Sequence, residues 1–141
     1  MVNDAAIVIL AAGQGTRMKS KMAKVLHRAG GKSLVEHAIS TALHIAPVER
    51  VFVVVGHQAE AVGAVANAAG VRSFEQLQQL GTGHAVMCGE SELAGLGGLL
   101  LVVNGDCPMV RPETLQALVD LYQQTGAKAA LVSTDLADPT G

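Results

Sequence analysis

The sequence predicts an α/β domain built on a doubly wound, mostly parallel sheet. Three observations carry this. Continuous apolar runs stand at Ala6–Leu10, Val51–Val55 and Leu99–Val103, as strands buried on both faces require. Longer amphipathic stretches separate them. Half of the 141 residues are hydrophobic while only 2% are aromatic, so an aliphatic core of Ala, Val, Leu and Ile must hold the layers together. Strand–helix alternation at this rhythm implies right-handed crossovers.

Taken in order, the run Ala6–Leu10 ends at a glycine-rich loop. Ser33-Leu34-Val35-Glu36 is a capping box, in which Ser33 accepts from the Glu36 amide while Glu36 reaches back. Leu34, Ala38, Ala42 and Ile45 follow at helical spacing, and Pro47 marks the exit. Val51–Val55 is a second strand closed by Gly56, and Ala59–Ala69 an alanine-rich helix weakened by Gly63. A short strand is expected over Val71–Phe74, a helix over Gly83–Leu93, a loop at Gly95–Gly98 and a strand at Leu99–Val103. Pro112 suits a first helical turn, after which Leu115, Leu118, Val119 and Tyr122 share a face. Ala129–Ser133 reads as a last strand. With no repeat, low-complexity tract or linker, residues 1–141 are expected to form one domain.

Composition excludes several function classes. Charged residues make up 16%, too few for a disordered polyelectrolyte. No apolar run approaches the roughly 18–20 residues that span a bilayer, and Ala5–Ala12 lacks the basic flank of a signal peptide. Cys88 and Cys107, without a disulfide framework, predict reduced thiols and a cytoplasmic setting. The net charge of −2 rules out a generally basic, nucleic-acid-binding surface. Within residues 1–32, however, Arg17, Lys19, Lys21, Lys24, Arg28 and Lys32 face only Asp4. Cations beside glycines suit a small anionic ligand, phosphate first, although a solvated lysine-rich loop has the same composition.

Ligands of such sheets sit beyond the carboxyl ends of the strands, and three loops there carry chemistry. After the first strand comes Leu10-Ala11-Ala12-Gly13-Gln14-Gly15-Thr16-Arg17-Met18. A dinucleotide fingerprint fails because Met18 occupies the third glycine position, and Gly31-Lys32-Ser33 fails as a P-loop because Leu26 stands where glycine is needed. What remains is a glycine turn whose N–H groups can approach phosphate, with Arg17 and Lys24 as cations; a tight strand exit is the plainer reading. After Val103, Asn104-Gly105-Asp106 either offers a carboxylate to Mg²⁺ or simply turns the chain. Gln76–Ala85 holds amides that can pair with a base edge, or a polar loop with Thr82 as helix cap. His84 and Cys88 lie at i, i+4, but two ligands are too few for a zinc site.

Together these segments resemble the nucleotidyltransferase family of sugar-nucleotide pyrophosphorylases, in particular its bacterial uridylyltransferases that make UDP-N-acetylglucosamine. The family's L-A-A-G-x-G-T-R-M stands at Leu10–Met18, and its P-K-V-L is represented by Ala23-Lys24-Val25-Leu26. Its Q-x-x-Q-L-G-T-G-H-A stands at Gln76–Ala85, and its G-D-x-P-L at Gly105–Met109. Asp138-Pro139-Thr140-Gly141 resembles the start of D-P-T-G-Y-G-R. Two residues depart from the pattern: Ala23 replaces a proline, and Asn104 stands where close members often carry tyrosine.

The resemblance implies a Rossmann-like fold of the nucleotide-diphospho-sugar transferase type, cut short, with residues 1–141 its N-terminal nucleotide-binding part. Leu10, Ala11, Ala12, Gly13 and Gly15 would line the nucleotide. Arg17 and Lys24 would neutralise the triphosphate. Gln76, Gly81 and Thr82 would read uracil. Asp106 would hold Mg²⁺ with Asn104 and Gly105 beside it, and Gly141 would approach the sugar. The implied partners are UTP and N-acetylglucosamine 1-phosphate. A second metal ligand (an asparagine), most sugar contacts and a β-helix acetyltransferase domain belong to family sequence beyond Gly141. Homo-oligomers belong to the full-length enzymes.

Overall fold

A computed structural model describes residues 4–15, 18–135 and 137. Strand β1 (Ala5–Leu10) is followed by a 3₁₀ turn (Lys24–Leu26), a hairpin of β2 (Arg28–Ala29) and β3 (Lys32–Ser33), and helix α1 (Leu34–Leu43). Strand β4 (Val51–Val55), helix α2 (Ala59–Ala68) and strand β5 (Arg72–Glu75) come next. Two short helices, α3 (Thr82–Met87) and α4 (Glu90–Leu93), lead to β6 (Leu99–Asn104) and α5 (Pro112–Thr125).

The four long strands form one parallel sheet in the order β5-β4-β1-β6. Apolar side chains alternate between its two faces. Ile7, Ile9, Val51 and Val53 pack with Val35, Ile39, Val62 and Val119 from α1, α2 and α5. Val8, Phe52, Val54 and Phe74 pack on the other face with Ala85 of α3 and with Leu93. Helices on both faces of a parallel sheet make the architecture Rossmann-like, as the sequence predicts. Among the described residues no helix is long and apolar enough to cross a membrane.

The capping box forms: Ser33 Oγ accepts from the Glu36 amide at 3.3 Å, and the Ser33 amide donates to Glu36 Oε2 at 2.5 Å. Four expectations need correction. The run Leu99–Val103, expected as a strand buried on both faces, forms β6, but only Leu101 of it is buried, because among the described residues it lies at the edge of the sheet. The helix expected over Gly83–Leu93 breaks into α3 and α4 at Gly89, whose backbone at φ −94°, ψ 14° leaves helical geometry and whose missing Cβ makes room for the Phe74 ring. Thr82 is the first residue of α3 rather than its cap; Gly81 holds the cap position. Ala129–Ser133 forms no strand. A strand needs a paired backbone and a buried face, yet this segment joins no sheet and leaves Leu131 and Val132 77% and 58% exposed. It lies along an apolar trough of about 660 Å³ between β6 and α5. The β2–β3 hairpin was not foreseen; Gly30 and Gly31, both at positive φ, turn it.

Candidate functional site

From β1 the chain winds outward through β4 to β5, then crosses to β6 on the other side of β1. Strand order therefore reverses between β1 and β6, and the crevice beyond their carboxyl ends is where such sheets take ligands. A cavity of about 460 Å³ opens there. The first loop lines it with Leu10, Ala11, Ala12, Gly13, Gly15 and Met18, and the 3₁₀ turn with Lys24 and Val25. Gln76, Gln79, Gly81, Thr82 and Ala85 come from the opposite wall, and Asn104 and Asp106 from the end of β6. The three loops singled out in the sequence thus share one cavity. The larger trough beside β6 is lined mainly by aliphatic side chains, with Asn104, Cys107, Thr114, Tyr122 and Lys128 as its polar members.

The loops are stitched together through backbone. The Gly105 amide donates to Leu10 O at 2.9 Å. A Cβ on Gly105 would lie 2.9 Å from that same oxygen, so only glycine lets the two strand ends approach so closely. Gly105 itself is buried behind the cavity rather than lining it. Ala12 O accepts from the His57 amide at 3.1 Å and from Gln79 Nε2 at 2.7 Å. Gln79 is a lining residue the sequence reading did not single out, although it is the third amide of the same Gln76-Leu77-Gln78-Gln79 segment. Gly15, at φ +63°, lies against the Lys24 side chain, where an added Cβ would come within 2.6 Å of Lys24 Cβ.

At the cavity floor Lys24 Nζ donates to Asp106 Oδ2 at 2.7 Å across 82 residues of sequence. The two side chains are 40% and 33% exposed, so the pair remains open to a ligand. Lys24 holds the Asp106 carboxyl below the usual carboxylate range, against the opposing effect of burial. Beside it, burial and the Asp106 charge push the Cys107 thiol up. Cys88 is half-buried and Cys107 exposed, both as free thiols.

On the opposite wall Gln76 is buried, and its Nε2 donates to Gly81 O at 3.1 Å and lies 3.0 Å from His84 Nδ1. With both amide hydrogens directed at protein acceptors, the oxygen is the group left for a further partner. His84 is thereby occupied as a support for Gln76. Arg17 and Gly141 lie outside the described residues, as does the 138–141 segment with its family motif.

The donor chemistry fits magnesium. Among the described residues no three His, Cys, Asp or Glu side chains gather around one point. Asp106 offers a hard carboxylate at the cavity, with the Asn104 amide nearby. Mg²⁺ commonly takes one or two protein carboxylates and fills the rest of its shell with phosphate and water.

Comparisons agree with this geometry. The family pattern of the MobA-like NTP transferase domain matches residues 7–139. A Solibacter usitatus protein named "Bifunctional protein GlmU" is 56% identical over 135 residues, covering 96% of this chain and 29% of that protein. A Listeria innocua protein of the same name is 47% identical over 135 residues, covering 95% of this chain and 29% of its own length. The chain thus spans less than a third of these curated relatives. Among solved structures, a Methanothermobacter nucleotidyl transferase superposes with a TM-score of 0.70 at 25% identity, over 82% of this chain and 56% of that one. A CMP:2-keto-3-deoxy-manno-octonic acid synthetase complexed with CTP does so at 0.67 and 25%, over 87% and 48%. The match over nearly all of the sheet, and over all three loops that form the cavity, places this chain in the MobA-like NTP transferase domain family.

Proposed function

We propose that the chain is the nucleotide-binding part of a Mg²⁺-dependent uridylyltransferase acting on UTP and N-acetylglucosamine 1-phosphate in the cytoplasm. The observation that carries this reading is the convergence of the glycine loop, the Lys24–Asp106 pair and the Gln76–Thr82 wall on one cavity. In the proposed reaction a phosphate oxygen of the sugar phosphate attacks the α-phosphorus of UTP. The bond to the β-phosphate breaks, and pyrophosphate leaves with its electron pair, giving UDP-N-acetylglucosamine. No covalent bond to the protein forms, so catalysis is positioning and charge neutralisation.

Each group then has a definite task. The loop from Leu10 to Gly15 presents backbone to the phosphates, and Lys24, with Arg17, offsets their charge. Asp106 would hold Mg²⁺, which supplies electrostatic stabilisation of the transferring phosphoryl group when bound. Gln76, held by Gly81 and His84, would meet the uracil edge together with Gly81 and Thr82. A second reading is a nucleotide-binding piece without turnover of its own, favoured by the chain's coverage of less than a third of its curated relatives.

Calorimetric titration with UTP, CTP and GTP, with and without Mg²⁺, tests the reading. Selective, Mg²⁺-enhanced UTP binding is expected, and equal affinity for all three would overturn the uridylyl assignment. Pyrophosphate release with added sugar phosphate then separates turnover from binding alone.

A further inference from the structure

Lys24 does not fix its own position. It opens a 3₁₀ turn whose cap residue, Ala23, makes no side-chain cap bond and is fully buried. A buried Ala23 amide needs an acceptor, and it comes from another loop: Gln58 Oε1 accepts from Ala23 N at 2.8 Å. The same amide group donates through Nε2 to Lys21 O, also at 2.8 Å. One side chain thus pairs with a donor and an acceptor two residues apart, as a neighbouring strand would.

Gln58 gives up other conformations to do this. It is the cap residue of α2, yet its side chain makes no cap bond there, and its backbone sits in the left-handed region at φ 56°, ψ 43°. The next residue toward β4, His57, is tied to Ala12 O. The tip of β4 is therefore anchored to the first loop on one side and grips the approach to Lys24 on the other.

We propose that Gln58 is a positioning residue for Lys24, a role that rests on the nucleotide-binding reading above only for its consequence in affinity. A proline at this position, as in the P-K-V-L segment that the chain resembles, would have no N–H to hold and would fix φ covalently. Ala23 has φ −55°, within the range that a proline ring imposes. Alanine at this position leaves an N–H that must be held, and Gln58 holds it.

The decisive variants of the full 141-residue chain are Gln58→Asn, Ala23→Pro and the two together. Asparagine tolerates the left-handed backbone but is one methylene too short to reach both partners. Two readouts apply: Lys24 acetylation by acetic anhydride, followed by mass spectrometry without nucleotide, and the affinity for Mg²⁺·UTP. Gln58→Asn is expected to raise the Lys24 labelling rate several-fold relative to wild type and to weaken UTP binding about tenfold. Adding Ala23→Pro should return both toward wild type, which general destabilisation would not do. Unchanged Lys24 labelling in Gln58→Asn, or no recovery in the double variant, overturns the role. Rescued labelling in a chain that never binds UTP would leave the positioning role standing and refute the nucleotide reading instead.

Discussion

Strands β1 and β6 are neighbours, paired in register from Ala5↔Leu99 to Leu10↔Asn104, and both are apolar. Their fates differ. β1 is buried along nearly its whole length, whereas β6 leaves Leu100 and Val102 41% and 49% exposed and, among the described residues, has no strand on its outer side. The difference comes from neighbours rather than composition: β1 lies between two strands, β6 at an edge. The candidate site sits where these two environments meet, with its glycine loop on the closed strand and its carboxylate on the open one.

That contrast can be tested by size of effect. Phe52→Ala, in the closed half, removes a fully buried ring that packs against Phe74 and lies under Arg72. It should cost about 3–5 kcal/mol in denaturant unfolding. At the boundary, Asp106→Ala or Lys24→Ala in a full-length relative should lower nucleotidyl transfer by about 10²-fold or more, roughly 2.7 kcal/mol, while the melting transition is retained. Wild-type turnover in either would remove the pair from the proposed mechanism.

A smaller effect belongs to the α1 cap. The Ser33 amide and hydroxyl hold the Glu36 carboxyl below its ordinary range. That contribution is complete above the ordinary carboxylate value and disappears as pH falls through the lowered one. Glu36→Gln should cost about 0.5–1 kcal/mol at neutral pH and flatten this part of the acid-side stability curve, read by unfolding at a series of pH values. Smallest of all, Leu100→Thr on the open face should change stability by no more than about 0.5 kcal/mol. A loss near 2 kcal/mol would mean that this face is covered in solution, and the contrast between the strands would dissolve.

The same boundary separates what the sequence made legible from what it did not. Runs such as Ile7-Val8-Ile9 and Val53-Val54-Val55 announce buried strands because every residue is apolar, and the Ser33–Glu36 box announces its helix through local hydrogen bonding. The site loops were legible as motifs at strand ends, since topology alone delivers strand ends to one edge. What escaped notice depends on distant partners. The room for the Phe74 ring beside Gly89 depends on a residue 15 positions earlier, the Gln58 clamp needs a segment 35 residues away, and Ala129–Ser133 would need a strand to pair with it. Periodicity carries no record of such meetings.

The Lys24–Asp106 contact has a consequence for how ligands would enter. Each charge is already spoken for by the other at 2.7 Å. An anion that draws Lys24 away uncovers a carboxylate, and a cation that draws Asp106 away uncovers an ammonium. Each therefore prepares ground for the other, and thermodynamic reciprocity makes the enhancement equal in both directions. Under the proposed function, a metal–triphosphate complex arriving as a unit would satisfy both charges at once, which neither component alone would do, without any change of fold.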